Sequence, residues 1–435
     1  MNPVPSRYRW SVVIIFFFFM LLHQSDKLLI GPLTTDIIAD FGISNTQMGA
    51  VFSAALIVGS VLYPLWGYLY DRYARAKLVA VASFIWGLTT WVSAIAPNFG
   101  LFLASRASTG IDDSSYPGLY SLISDYFGPS VRGKIYGALQ VAQPLGYLVG
   151  LILALVLGPM IGWRAIFYIT GSLGLVLAVL IFFGVREMPR GKAEPELAGL
   201  EEIGVYRFDR EKAVELLQKR SLWLLFAQGF VGVFPWNVIT FWFFAYLETE
   251  RFYDEQAILT TMAPAVLVLA AGYFVGGSLG DALFKRTPRG RLLVAMGAVL
   301  IGAVLLTITI NVPVENQTLF LILLCATALF IPFASPNMIS SVYDITLPEV
   351  RSTALSIQYF IENGGAAMAP LLAGWIADQP GSSLQTAILG ICLTAWILGS
   401  IILAFAAYRI PADIYTLRGQ MVERAEAEKA RQVGG

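Results

Sequence analysis

The chain has 435 residues, 57% of them apolar and only 13% charged, and its 29 Lys and Arg are balanced by 29 Asp and Glu. Such a composition makes lipid its solvent, and nothing in it points to a nucleic acid. One histidine, two cysteines and no Gly-rich phosphate loop exclude multi-histidine zinc sites, most Ser/His or Cys/His nucleophiles and direct use of ATP, so no cofactor or metal is expected.

Twelve apolar stretches are each long enough to cross the roughly 30 Å hydrocarbon core as a helix. In chain order they run over about 10–31, 45–69, 77–96, 99–125, 133–159 and 164–184, then 221–247, 257–280, 291–311, 318–343, 351–377 and 384–408. The first carries Asp26 and Lys27, with His23 one turn earlier; the fourth carries Arg106 and Asp113, with Asp112 beside them. Gln143 precedes Pro144 in the fifth, Asn237 follows Pro235 in the Phe- and Trp-rich seventh, and Glu362 lies near the middle of the eleventh. In a bundle, neighbouring helices re-satisfy the backbone groups that Pro144, Pro235, Pro332, Pro336 and Pro370 set free, and transporters tend to bind at such breaks. Cys325 and Cys392 read as packing residues.

These spans predict an all-α membrane protein of two pseudo-symmetric six-helix bundles, residues 1–186 and 221–408; the sequence does not show its oligomeric state, and a monomer is the expectation. A densely charged linker, 187–220, joins them, with Asp209 capping a short amphipathic helix over 210–219 whose stripe is Ala213, Val214, Leu216 and Leu217. A charged tail, 409–435, follows, and its sequence permits a continued helix. Only Arg164 and Arg251 lie in the odd-numbered loops; Lys27 and Arg106 lie within spans, and the remaining Lys and Arg crowd the termini, the linker and the even-numbered loops. The positive-inside rule therefore places both termini in the cytoplasm of a cell (inner) membrane protein.

Two patterns repeat at equivalent places in the halves. Asp-x-x-x-Pro-x-Val-Arg occurs at Asp125–Arg132 and Asp344–Arg351, and Gly-x-Leu-x-Asp at Gly67–Asp71 and Gly277–Asp281. The Gly67–Lys77 loop, with Asp71, Arg72 and Arg75, resembles the signature loop of the major facilitator superfamily, with Ala74 in place of a glycine. Asp71 and Asp281 lie where they can meet helix N-termini or arginines of the opposite half, a latch that must part for the protein to open. Asp125, Arg132, Asp344 and Arg351 either share that gate or merely mark the interface and fix topology.

A narrower resemblance rests on Gln24-Ser25-Asp26-Lys27, on Arg106, Gly110, Ile111, Asp113, Ser115 and Tyr116 in the fourth span, and on Val185-Arg186-Glu187 with Pro189-Arg190-Gly191. Together with Arg351-Ser352 and Ala354-Leu355-Ser356, these residues look like the spinster branch, whose members move lysolipids and sphingoid lipids. The resemblance implies protonatable positions at Asp26 and Asp113 and a substrate-polar position at Arg106. The family usually has Glu where Asp113 stands and Arg where Lys27 stands.

Each charge at mid-span costs about 2.5–3.5 kcal/mol on insertion scales, so Asp26, Lys27, Arg106, Asp113 and Glu362 are functional candidates facing a wet chamber. Counting along the helices sets Asp26 and Arg106 at similar depth, with Asp113 and Glu362 deeper and Asp112 turned away as a secondary or structural carboxylate. The expected function is secondary transport by alternating access: Arg106 and Lys27 receive an anionic head group, Gln143, Asn237 and Glu362 add polar contacts, and Asp26 and Asp113 carry a proton. The expected partners are an amphipathic or anionic small molecule, protons and membrane lipids. A small organic-anion or drug antiporter, an intramembrane lipid-modifying enzyme and a receptor on the same fold are the alternatives.

Overall fold

The computed structural model describes residues 6–43, 45–113, 115–197, 210–377 and 379–434. The first half opens with α1 (Ser6–Phe41), α2 (Asn45–Arg72) and α3 (Arg75–Ile95). The fourth crossing is broken into α4 (Phe99–Ser108), α5 (Gly110–Asp113) and α6 (Tyr116–Tyr126), and the fifth into α7 (Arg132–Gln140), α8 (Ala142–Ile152) and α9 (Gly158–Ile161); α10 (Trp163–Gly184) is the sixth. After a short linker helix, α11 (Arg210–Leu217), come α12 (Arg220–Thr249), α13 (Glu255–Phe284) and α14 (Gly290–Ile310). The tenth crossing is α15 (Gln317–Phe330) with α16 (Ala334–Asp344); α17 (Arg351–Ala377) and α18 (Leu384–Gly434) complete the chain.

The breaks have local causes. Pro144 cannot donate to the Gln140 carbonyl, so α7 ends there, and Pro336 does the same to Pro332 at the 3-10 turn between α15 and α16. Pro129 and Pro348 open equivalent 3-10 turns, after which Arg132 and Arg351 begin α7 and α17. Asn98 and Asn316 cap α4 and α15 through the amides of Leu101 and Leu319, so the fourth and tenth crossings start alike.

Eight of the described helices are long and apolar enough to cross a membrane. The remaining crossings are α2, the broken fourth and fifth, and α17, and these contribute much of the contact between the halves. There the repeated glycines act as small-residue seats. A Cβ on Gly67 would lie 2.7 Å from the Cβ of Ser356 and 3.1 Å from the Cα of Thr353, and one on Gly277 would run into the Gly133 carbonyl, so α2 approaches α17 closely and α13 meets α7 backbone to backbone. The Gly146/Gly150 pair is internal packing, seating α8 on the Leu21 and Ser25 carbonyls of α1.

The tail and the linker helix bear on the sequence reading. The tail continues the last crossing as the helix its sequence permits: α18 runs to Gly434, burying Ile410, Ile414, Leu417, Met421 and Ala425 along one stripe. In α11, Leu216 is buried but Val214 is 50% exposed, so only part of the expected stripe is covered. Asp209 and the Ala213 side chain lie outside the described residues.

Candidate functional site

At the face where α1 begins, the repeated turns interlock. Asp71, at the end of α2, accepts from the Ser352 and Thr353 amides at 3.0 and 2.6 Å; Asp281, near the end of α13, accepts from the Gly133 and Lys134 amides at 3.0 and 2.7 Å. Each carboxylate therefore sits on the exposed N–H groups and positive dipole end of a helix in the other half. The two contacts are reciprocal under the pseudo-twofold relation of the halves.

Behind them lies a buried charge network built on the same symmetry. Arg75 starts α3 and pairs with Asp125 at 2.5 Å and with Glu187 at 2.7 Å; Arg291, near the start of α14, pairs with Asp344 and reaches Asp281 at 2.8 Å and the Pro129 carbonyl at 2.5 Å. Across the seam, Arg132 lies 4.0 Å from Asp344 and Arg351 lies 3.7 Å from Asp125. Glu194 of the linker joins them: its Oε1 receives Arg132 at 2.6 Å and Arg351 at 2.5 Å, and its Oε2 receives Arg418 of α18 at 2.6 Å. Burial alone would push the Glu194 carboxyl up, but Arg132, Arg351 and Arg418 outweigh it and hold it well below the usual carboxylate range. Arg72 stands apart. One residue past Asp71 it is turned by about 100° on the helix, exposed and bonded to Tyr68 of its own helix.

Within the first half, Asp26 and Arg106 meet at 3.1 Å, as their matched depth predicts. Trp86 and Thr90 of α3, at 3.1 Å each, and Thr170 of α10, at 2.6 Å, also donate to Asp26, and Arg106 packs 5.2 Å from the Phe167 ring. Every one of these contacts has the carboxylate accepting. The pair does not stand open at the seam: Asp26 is 1% and Arg106 2% exposed, because α3 and α10 supply the donors and the ring that surround it.

The other expected site residues do not join this cluster among the described contacts. Glu362 of α17 is half-buried, accepts from Gln358 at 2.7 Å and faces Gly229 of α12. Asn237 spends its amide on the Val233 carbonyl one turn back, at 2.8 Å. Gln143 and Lys27 are half-buried on α8 and α1, and the Asp113 side chain lies outside the described residues. Asp112 is not a bystander: it contacts Nε2 of His23, whose Nδ1 lies 2.7 Å from the Tyr116 hydroxyl.

Two bundles related by a repeat and latched by paired helix caps are joined by a third observation: the sequence profile described as Major Facilitator Superfamily matches residues 14–327. The chain belongs to the Major Facilitator Superfamily. It is similar to Protein spinster of Drosophila melanogaster, 28% identical over 389 residues; the match covers 86% of this chain and 62% of that protein's length. It is also similar to the Probable L-galactonate transporter of Escherichia coli, 25% identical over 405 residues, 89% of this chain and 87% of that one. Its fold matches, with a TM-score of 0.56 and 20% identity over 95% of this chain and 98% of the other, the crystal structure of a bacterial homolog to the human lysosomal transporter Spinster, inward-facing and unoccupied.

In this superfamily member the buried charge network includes residues that escape a reading of the sequence, among them Glu194, Arg291 and Arg418. Arg291 corresponds to Arg75 in place, since each stands at the start of the helix after a Gly-x-Leu-x-Asp turn. The longer loop of the second half hides that relation, because Arg75 follows its aspartate by four residues and Arg291 by ten. Glu194 and Arg418 belong to the linker and tail, which have no counterpart in the repeat.

Proposed function

We propose that this integral, multi-pass membrane protein is a secondary transporter that moves an amphipathic or other organic anion by alternating access, driven by protons. The observation that carries the reading is the reciprocal capping of α17 by Asp71 and of α7 by Asp281. Two carboxylates holding the same contact on opposite sides of one seam make a latch that opens only when the halves rock apart. Residues 1–186 and 221–408 are the rocking bodies, and 187–220 tethers them. The latched face is cytoplasmic, as the distribution of Lys and Arg requires, and the membrane is the inner one.

The chemistry follows from the Asp26–Arg106 pair. An anionic head group entering the first half competes with Asp26 for the Arg106 guanidinium, exchanging one charge-assisted bond for another. Asp26, or Asp113 a few turns away, then takes up a proton, so the arriving negative charge is compensated. Lys27, Gln143, Asn237 and Glu362 provide further polar contacts along the chamber. One pH unit supplies about 1.4 kcal/mol per proton and 100 mV about 2.3 kcal/mol, enough to bias the exchange without ATP.

Similarity to spinster favours a lysolipid or sphingoid substrate, and similarity to the L-galactonate transporter favours a small carboxylate. Purified protein in proteoliposomes, tested with a lysophospholipid, a sphingoid base and galactonate under an imposed pH gradient, separates the two. Accumulation of at least one, lost about tenfold or more in Arg106→Lys, is expected. Equal accumulation with and without the gradient would overturn the proton reading, and no movement of any of the three would overturn transport of these classes.

A further inference from the structure

The chain has one histidine, and both of its ring nitrogens are engaged. His23 is 3% exposed; Nδ1 lies 2.7 Å from the Tyr116 hydroxyl on α6, and Nε2 contacts the Asp112 carboxylate on α5. Phe19 stacks on the ring at 5.9 Å and Trp86 meets its edge at 5.4 Å, so the imidazole is fixed by residues of four helices, its own included. We propose that His23 and Asp112 form a proton-binding site, with Tyr116 as the group that adapts to each protonation state.

The identity of the two partners carries the argument. A backbone carbonyl opposite Nδ1 would accept only from a protonated nitrogen, and a backbone amide would tolerate only a bare one. A tyrosine hydroxyl serves both, because its O–H rotates between donating and accepting. In the neutral state Nε2–H donates to Asp112 and Nδ1 accepts from Tyr116. A proton arriving from water bonds to Nδ1; the Tyr116 hydroxyl turns to accept from it, and the imidazolium lies against the Asp112 carboxylate. Release reverses the steps.

The surroundings suit that change. Around the site, Asp26 lies one turn along α1, paired with Arg106 of α4, with Lys27 next to it in the chain; Tyr70 of α2 packs on Gly118, and α8 presents Gly146 to α1. Trp86 connects the two clusters, its ring against His23 and its N–H on Asp26. Histidine is also the side chain that ordinarily changes charge between about pH 5 and 8.

The lone imidazole makes the test direct. Full-length protein carrying no polyhistidine tag, labelled with nitrogen-15 histidine and held in lipid nanodiscs, gives resonances from His23 alone. The expected result is a change between neutral and charged forms within pH 5–8, with proton binding weakened at least tenfold in Asp112→Asn. Tyr116→Phe, which keeps the ring but removes the adapting oxygen, should shift the tautomer of the neutral form. An imidazole that keeps one form across pH 5–8, or an Asp112→Asn variant that binds its proton as the parent does, would overturn the proposal. Should Asp112→Asn fail to fold, the parent titration and the Tyr116→Phe tautomer still decide it. The role of the site in coupling rests on the proton-driven reading above: if His23 titrates against Asp112 while His23→Gln still accumulates galactonate or lysophospholipid under a pH gradient, the site stands and its coupling role falls.

Discussion

Glu194 accepts from three arginines that belong to the first half, the second half and the C-terminal helix, and it is itself buried. Replacing it with glutamine keeps the shape and removes the charge, leaving Asp344 and Asp125, at 4.0 and 3.7 Å, as the carboxylates nearest Arg132 and Arg351 among the described residues. Removing one partner of a buried ion pair costs about 3–5 kcal/mol. Glu194→Gln is therefore expected to lower the thermal midpoint and to populate conformations open at the latched face. The pH dependence has a definite sign. Because the folded carboxyl titrates below its ordinary value of 4.5, its contribution is complete above that value and disappears only as pH falls through the lower folded one. The gap in thermal midpoint between parent and Glu194→Gln should stay constant from pH 5 to 8 and narrow under strong acid. A gap that varied across pH 5–8 would mean that another group sets the strength of this contact.

Helix ends decide how the halves meet. Asp71 and Asp281 each supply two acceptors to a helix N-terminus across the seam, and a lost cap costs about 0.5–2 kcal/mol. Asp71→Ala and Asp281→Ala should each favour opening by roughly five- to tenfold, by similar factors, with spin-label distances across the latched face as the readout. Unequal shifts would mean that the two contacts are not equivalent. These positions could be read from the sequence because a carboxylate at the end of one crossing and an arginine at the start of another recur at fixed places in each half. Hydropathy located the crossings for the same reason, since burial in lipid needs length and apolarity and little else. It could not place the interruptions in the fourth, fifth and tenth crossings. Those depend on single prolines, whose effect a hydropathy window averages away. Depth counting paired Asp26 with Arg106 correctly but not their surroundings: which way a charged side chain turns depends on donors such as Trp86, Thr90 and Thr170, from helices distant in the chain. The same limit hid the contact between His23 and Asp112.

At the scale of the whole molecule, the named contacts across the seam concentrate toward the latched face: the paired caps, the arginines around Glu194, Tyr343 donating to the Pro117 carbonyl at 3.1 Å and Ser335 donating to Gln140 at 2.6 Å. Further along α2 and α17, the rings of Tyr63 and Tyr359 meet with centroids 5.5 Å apart. Rocking must separate this last pair, whereas motion confined to one half would leave it together. In a Cys325→Ala, Cys392→Ala background, cysteines at 63 and 359 closed by a short reducible cross-linker should cut transport at least tenfold, with recovery on reduction. Cysteines at 91 and 168 are the control, because Trp91 and Tyr168 lie 5.3 Å apart within the first half and stay together as the halves rock. Cross-linking there should leave the rate unchanged. If the 63–359 cross-link formed fully and transport continued at the parent rate, substrate would be passing without separation of α2 from α17, and the latch at Asp71 and Asp281 would be a structural joint rather than a gate.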